Sequence, residues 1–137
     1  VGGYGSDMTR TIYVGTPDAR AREVYAAVLE AQLRCEQQMR AGMRACEIDA
    51  LTRDPITARG YGAFYGHATG HGIGLEVHEA PRLSRHNEAR VPAGAVVTVE
   101  PGIYLPKWGG VRIEDVVIVN ERGSEVLTPT PKDLLVV

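Results

Sequence analysis

Apolar and β-branched residues dominate "MTRTIYV", which predicts a strand over residues 8–14. The following "GTPDAR" predicts a helix start, with Thr16 as N-cap, Pro17 in the first helical position and Asp18 in the first turn. Val24, Val28, Ala31, Cys35 and Met39 then recur at helical spacing, flanked by the polar Arg20, Arg22, Glu30, Arg34 and Glu36, and Gly42 offers a stop. A second helix is predicted from near Glu47 through Ile48 and Leu51. Pro55 leaves its continuation open, because proline donates no hydrogen bond and clashes with the preceding turn. Beyond residue 60 the character changes. "GYGAFYGHATGHGIG" reads as loop, residues 95–105 and 110–119 read as strands around a Pro/Gly/Trp turn, and "SEVLT" and "DLLVV" read as a final hairpin or edge. No repeat or linker interrupts this order. One strand, two helices and several further strands predict an α+β class, with helices on one face of a mainly antiparallel sheet.

A length of 137 residues allows one ordinary domain, and 44% hydrophobic with 23% charged residues is a globular composition. The formal net charge of −2 gives no nucleic-acid or anionic-membrane footprint. No apolar run approaches the roughly 20 residues of a membrane helix, and no signal segment opens the chain. The expected partners therefore include neither nucleic acid nor membrane, and the expected location is the cytoplasm. The start on Val1 rather than Met leads us to expect a chain cut from a longer one. Cys35 and Cys46 stand eleven residues apart, neither a redox pair nor a zinc-finger spacing, and read as reduced thiols.

The chemistry concentrates in "HATGHGIGLEVHEAP", residues 67–81, which holds three of the four histidines, His67, His71 and His78, among Gly70, Gly72 and Gly74. Glu100 and Glu114 each lie between apolar strand residues, and Asp7 precedes another such strand. Ionised carboxylates are rarely buried unless paired or metal-bound. One such acid is readily explained as a strand-end residue paired with arginine. Three, with a glycine-flanked histidine, offer one nitrogen and several hard oxygens, a set suited to Mn²⁺, Co²⁺, Zn²⁺ or Fe²⁺. Spacing alone leaves both readings open.

"SDMTRT", "HATGHGIGLEVHEAP", "VEPGIY" and "GVRIEDVV" resemble, in order and wording, the motifs of the pita-bread metallopeptidases, most nearly their Xaa-Pro branch of aminopeptidase P and Xaa-Pro dipeptidase. The resemblance spans essentially all of residues 1–137 and implies the curved pita-bread sheet and two divalent metal ions, Mn²⁺ first, with Co²⁺, Zn²⁺ or Fe²⁺ as alternatives. It implies that Asp7 and Glu114 bridge the metals and that His71 and Glu100 ligate one of them. The family's first metal-ligating aspartate would fall before Val1, so the chain is expected to be the C-terminal portion of a catalytic domain truncated at its N-terminus.

The resemblance further implies cleavage of the bond before proline in peptide substrates. Glu100 would shuttle protons, and His67 and His78 would face the substrate. His86 is expected on the surface. Arg112, two residues before Glu114 and on the same side of a strand, would pair with an acid, steady Glu114 or meet a substrate carboxylate, while Tyr104 and Trp108 are expected to pack. Two alternatives stand beside this reading. Methionine aminopeptidase shares the metal ligands, but His67 favours the Xaa-Pro branch. A non-catalytic pita-bread scaffold would have lost ligands, and all four that can be checked are present. Dipeptide against longer substrates, and the oligomeric state, a homodimer included, stay open.

Overall fold

Helix α1 (Ala19–Gln38) begins at Asp18 rather than Thr16. Asp18 has extended backbone, and its Oδ1 accepts the Ala21 N–H at 2.7 Å, which is the capping bond that fixes the first turn. The computed structural model describes residues 2–137, so the expectation attached to Val1 lies outside the described residues. All five stripe residues, Val24 through Met39, are buried. The helix stops with Met39 as its C-cap, and Gly42, at φ +85°, serves the following turn, where its N–H donates to the Val91 carbonyl at 2.8 Å. Gln32 and Glu36, on the same helix, are buried as well, against the expectation that Glu36 lies on a polar flank.

Helix α2 (Ala45–Ala58) starts slightly before Glu47, whose Oε2 accepts the Arg44 N–H at 2.8 Å. It runs through Pro55. The turn beyond the proline carries Ile56, which is fully buried. Burial of such a side chain is worth roughly 1.5–3 kcal/mol, comparable to the cost of an interior proline.

Among the described residues the strands are β1 (Ile12–Tyr13), β2 (Gly70–Gly72), β3 (Glu79–Leu83), β4 (Val96–Val99), β5 (Gly102–Leu105), β6 (Gly109–Arg112), β7 (Asp115–Asn120), β8 (Gly123–Val126) and β9 (Leu135–Val136). A five-stranded antiparallel sheet runs β3-β2-β4-β7-β8, β5 and β6 form an antiparallel ribbon, and β1 pairs in parallel with β9. The mixed helix-and-antiparallel-sheet class follows the expectation from the sequence. Three details differ. Each long predicted strand is two strands, broken at Glu100–Pro101 and at Ile113–Glu114. The stretch read as loop contains β2. Of the two readings of the last segments, the hairpin fails and the edge holds for β8, which edges the sheet, while β9 joins β1.

The helices meet the sheets in two apolar clusters. Val24, Val28 and Ile56 pack with Ile103, Leu105 and Val111 of the ribbon and with Ile113 just beyond it, and Trp108 packs against this cluster. Cys35, Met39 and Ile48 pack with Leu83, Val97, Val99, Val117 and Val119 of the sheet. Both cysteines are free thiols. Among the described residues no helix is long and apolar enough to cross a membrane.

Candidate metal centre

Strand β2 lies between β3 and β4, and its glycines explain why it can. A β-carbon on Gly70 would stand 1.8 Å from the Thr98 carbonyl oxygen, and one on Gly72 would stand 2.2 Å from that of Ala80. The close approach these glycines allow is to neighbouring backbone. His71 sits between them in the strand alternation. Its Nδ1 lies 3.0 Å from the Gly72 carbonyl, which can only accept, so Nδ1 carries a proton and, in the neutral ring, Nε2 keeps its lone pair.

That Nε2 faces acids from three other segments. Glu100 Oε1 lies 3.2 Å away and Asp7 Oδ2 4.0 Å away. Ligand atoms of Asp7, His71 and Glu114 all fall within 4.8 Å of one another. The four residues implied as ligands thus converge. Two threonines hold them. Thr98 Oγ1 accepts the His71 N–H at 3.0 Å and donates to Glu100 Oε1 at 3.2 Å. Thr9 Oγ1 donates to Glu114 Oε2 at 2.5 Å and accepts from Arg112 Nε at 3.2 Å. Sequence reasoning missed both threonines. Each stands two residues from an implied ligand, Thr98 from Glu100 and Thr9 from Asp7, and strand periodicity would have placed them on the ligand face.

Arg112 reaches Glu114 itself only at 4.0 Å, so it steadies the carboxylate through Thr9. Its Nη1 donates to the Tyr104 hydroxyl at 3.3 Å, and that hydroxyl lies 2.9 Å from His67 Nε2. His67 Nδ1 is 2.7 Å from the Ala68 carbonyl and must donate to it, so the neutral ring accepts from Tyr104 at Nε2. Tyr104 therefore does more than pack. Its side chain lies across the ribbon over Gly102 and Gly110, where β-carbons would come within 2.5 Å of its hydroxyl and 2.6 Å of its ring. His78 is exposed beside His71, with ring centroids 4.1 Å apart, and His86 is exposed. His67, His71, His78, Glu100, Arg82 and Arg112 line one open cavity of about 530 Å³.

The loop carrying His67 is anchored on α2. Arg53 donates twice to Asp49, at 2.6 and 3.0 Å, and to the carbonyls of Tyr65 at 3.0 Å and His67 at 2.8 Å. Asp49 Oδ1 also accepts the Thr69 N–H at 3.1 Å, and the Thr69 carbonyl accepts the Glu100 N–H at 2.8 Å.

Burial pushes the Glu114 carboxyl above the usual range, and repulsion from Glu100 and Asp7 adds to it against the Thr9 hydrogen bond. Burial likewise raises Glu100, against the attraction that His71 exerts when protonated and the Thr98 hydrogen bond. Burial lowers His67, which keeps that ring neutral. Three clustered carboxylates and an imidazole lone pair form a donor set that a divalent cation fits, because a cation would offset both the burial and the repulsion.

Residues 1–121 match a family model described as metallopeptidase family M24. The chain is 51% identical over 132 residues to the Xaa-Pro dipeptidase of Pyrococcus furiosus, covering 96% of this chain and 38% of that protein. It is 51% identical over 134 residues to the uncharacterized peptidase YqhT of Bacillus subtilis, covering 98% of this chain and 38% of that one. The solved Xaa-Pro dipeptidase from Bacillus anthracis superimposes with a TM-score of 0.97 at 56% identity, again over 98% of this chain and 38% of the other. The chain thus spans well under half the length of these relatives.

Proposed function

Because the chain belongs to metallopeptidase family M24, we propose that the protein hydrolyses the peptide bond before proline, as an Xaa-Pro dipeptidase or aminopeptidase. The convergence of Asp7, His71, Glu100 and Glu114 beside His67 and His78 carries this reading, and the names of the similar dipeptidases support its Xaa-Pro form.

Asp7 and Glu114 would bridge two divalent cations, and His71 and Glu100 would serve one of them, with Mn²⁺ first and Co²⁺, Zn²⁺ or Fe²⁺ as alternatives. When bound, such cations polarise a carbonyl oxygen and acidify water. The chain's own residues would do the rest. Glu100, raised by burial, would take a proton from the attacking water and pass it to the leaving nitrogen. That nitrogen is the proline imide, which has no N–H of its own in the substrate and leaves only once protonated. His78, exposed at the cavity, would donate a hydrogen bond to the carbonyl oxygen as negative charge develops. His67, neutral and braced by Tyr104, would wall the proline side. Arg112 lines the cavity, but its bonds to Thr9 and Tyr104 favour steadying Glu114 over gripping substrate.

The test is a peptide panel on the full-length protein with Mn²⁺ or Co²⁺, comparing Xaa-Pro, Xaa-Ala and Met-Ala substrates. Cleavage confined to Xaa-Pro is expected. Equal cleavage of Met-Ala would favour methionine aminopeptidase. Absence of both hydrolysis and bound metal would favour the scaffold reading.

A further inference from the structure

Behind Glu114, on the side away from the cavity, lies a buried charge cluster that the proposed chemistry does not use. Asp115 is fully buried and Glu36 nearly so. Lys132 Nζ donates to Glu36 Oε2 at 2.6 Å and Gln32 Oε1 at 2.9 Å and pairs with Asp115 Oδ2 at 2.8 Å, so three oxygens surround the ammonium. The other cation is Arg10, all five of whose N–H groups are used. Two go to the backbone pair that carries ligand-side residues, the Thr9 carbonyl at 2.9 Å and the Glu114 carbonyl at 2.7 Å. One goes to Asp115 Oδ1 at 2.8 Å. Two go to the C-terminal segment, the carbonyls of Thr130 at 2.8 Å and Pro131 at 3.0 Å.

The cluster is therefore balanced, two carboxylates against two cations, and Arg10 links that balance to the metal-side backbone. Thr9 and Glu114 pair as an isolated bridge, and their side chains bond to each other on the cavity side. Remove Lys132, and Glu36 and Asp115, joined through the Gln32 amide, are left with one cation, the Arg10 guanidinium on Asp115. Burying an uncompensated charge is costly, so the carboxylates would move apart or take up water. Arg10 would then lose its anion, and the Glu114 carbonyl its anchor. Lys132 also lies outside the residues 1–121 that the family model matches.

We propose that Lys132 is a positioning residue that acts through Asp115 and Arg10 to hold Glu114 in place, making the C-terminal segment part of the metal centre's frame. The clamp stands on geometry alone. Its effect on metal rests on the reading of Glu114 as a ligand.

The experiment uses the full-length protein with Lys132→Met, Lys132→Arg and, as a core control that makes no polar contact with the cluster, Ile48→Val, all under conditions where circular dichroism shows them folded. Two quantities are read: amide hydrogen exchange at Glu114 in the metal-free protein, and affinity and visible absorption with Co²⁺. Lys132→Met is expected to speed Glu114 exchange by about tenfold or more. It is expected to weaken Co²⁺ binding by about tenfold or more, with altered bands. Lys132→Arg and Ile48→Val should leave both near wild type. Unchanged Glu114 exchange in Lys132→Met overturns the clamp. Faster exchange with unchanged Co²⁺ affinity and bands overturns the link to the metal centre. Should the wild type bind no Co²⁺ while the exchange effect holds, the metal reading fails and the clamp stands. If Lys132→Met does not fold, the pair Glu36→Gln/Lys132→Met removes one charge of each sign and should restore both readings to near wild type. Failure of that pair to restore them overturns the charge-balance argument.

Discussion

Glu100 and Glu114 stand opposite each other in a single register that runs unbroken from the β4–β7 pair into the β5–β6 ribbon, yet their backbones do not pair. At that level each takes another partner. Glu114 bridges to Thr9, and the Glu100 N–H donates to the Thr69 carbonyl. Two segments thus wedge the ladder open where the acids sit. Asp7 arrives on one segment, and the other leads from His67 into His71. The cluster forms where four stretches of chain cross, and its geometry is set by backbone bonds before any side chain is placed.

Glu114→Gln is therefore expected to lose metal where His78→Ala does not. The amide keeps the shape but removes a charge from a set in which carboxylates are the main donors, and metal affinity should fall by well over about tenfold. His78 is exposed beside His71 and lies outside the converging set, so its loss should lower turnover at nearly full metal content. Metal analysis after dialysis, paired with peptide kinetics, checks both. The reverse pattern would exchange the two roles.

Gly70→Ala should destabilise strongly, and Gly66→Ala hardly at all. A β-carbon at Gly70 would sit 1.8 Å from the Thr98 carbonyl oxygen, so strands β2 and β4 would have to part, whereas one at Gly66 has nothing within 4 Å. Overpacking typically costs about 1–3 kcal/mol, and an enforced backbone shift should reach or exceed the top of that range. Gly66→Ala should stay within about 0.5 kcal/mol. Urea unfolding of the two variants beside wild type measures the difference. Equal stabilities would mean the glycines of "GHG" serve something other than strand packing.

The same glycines mark where the sequence was legible and where it was not. The helical stripe from Val24 to Met39 announced α1 because one periodicity runs along one face. Asp7, His71, Glu100 and Glu114 were reached through motif wording. That they converge depends on strand order, which no local pattern encodes. "GHGIG" read as loop because glycine has low strand propensity, and the fact that decides otherwise, a carbonyl less than 2 Å from an absent β-carbon, belongs to a distant segment. Glu36 read only as a polar neighbour of the apolar stripe for the same reason. Its partners Lys132 and, through Gln32, Asp115 come from the far end of the chain. Tyr104 and the two threonines were within reach of period-two reasoning and were undervalued because single hydroxyl residues on strands are usually just packed.

His67 should titrate below 6.5, the ordinary histidine value, with burial as the main cause. The sign for stability follows. A depressed folded-state pKa means that the unfolded chain binds the proton first as pH falls, so the contribution is intact above about 6.5 and is lost as pH drops from there toward the folded value. Ring NMR of His67, with urea unfolding above and below that window, tests this. His67→Gln should flatten that part of the stability profile. Tyr104→Phe removes a donor to the neutral ring, and the His67 pKa should move up. A His67 that titrates at or above the ordinary value would remove the case for a neutral wall on the proline side.

Arg53 allows stability and positioning to be separated. Its guanidinium neutralises the buried Asp49 and also fixes the carbonyls on both sides of Gly66, from Tyr65 and His67. Arg53→Met alone leaves Asp49 as an unpaired buried carboxylate and should cost about 3–5 kcal/mol. Asn at position 49 keeps an acceptor for the Thr69 N–H and removes the charge, so Asp49→Asn/Arg53→Met should regain much of that stability. It does not regain the two carbonyl bonds, so the loop bearing His67 stays loose. The double variant is thus expected to fold and to hold metal as wild type does, because none of the four converging residues proposed as ligands lies on that loop. Its kcat/KM on Xaa-Pro peptides should nevertheless fall by about tenfold or more, the usual scale for a displaced substrate-contacting group. Unfolding curves, metal analysis and kinetics on the single and double variants give three separate readings. A double variant with wild-type kcat/KM would reduce Arg53 to a partner for Asp49, and one that loses metal would show that the loop frames the ligands as well as His67.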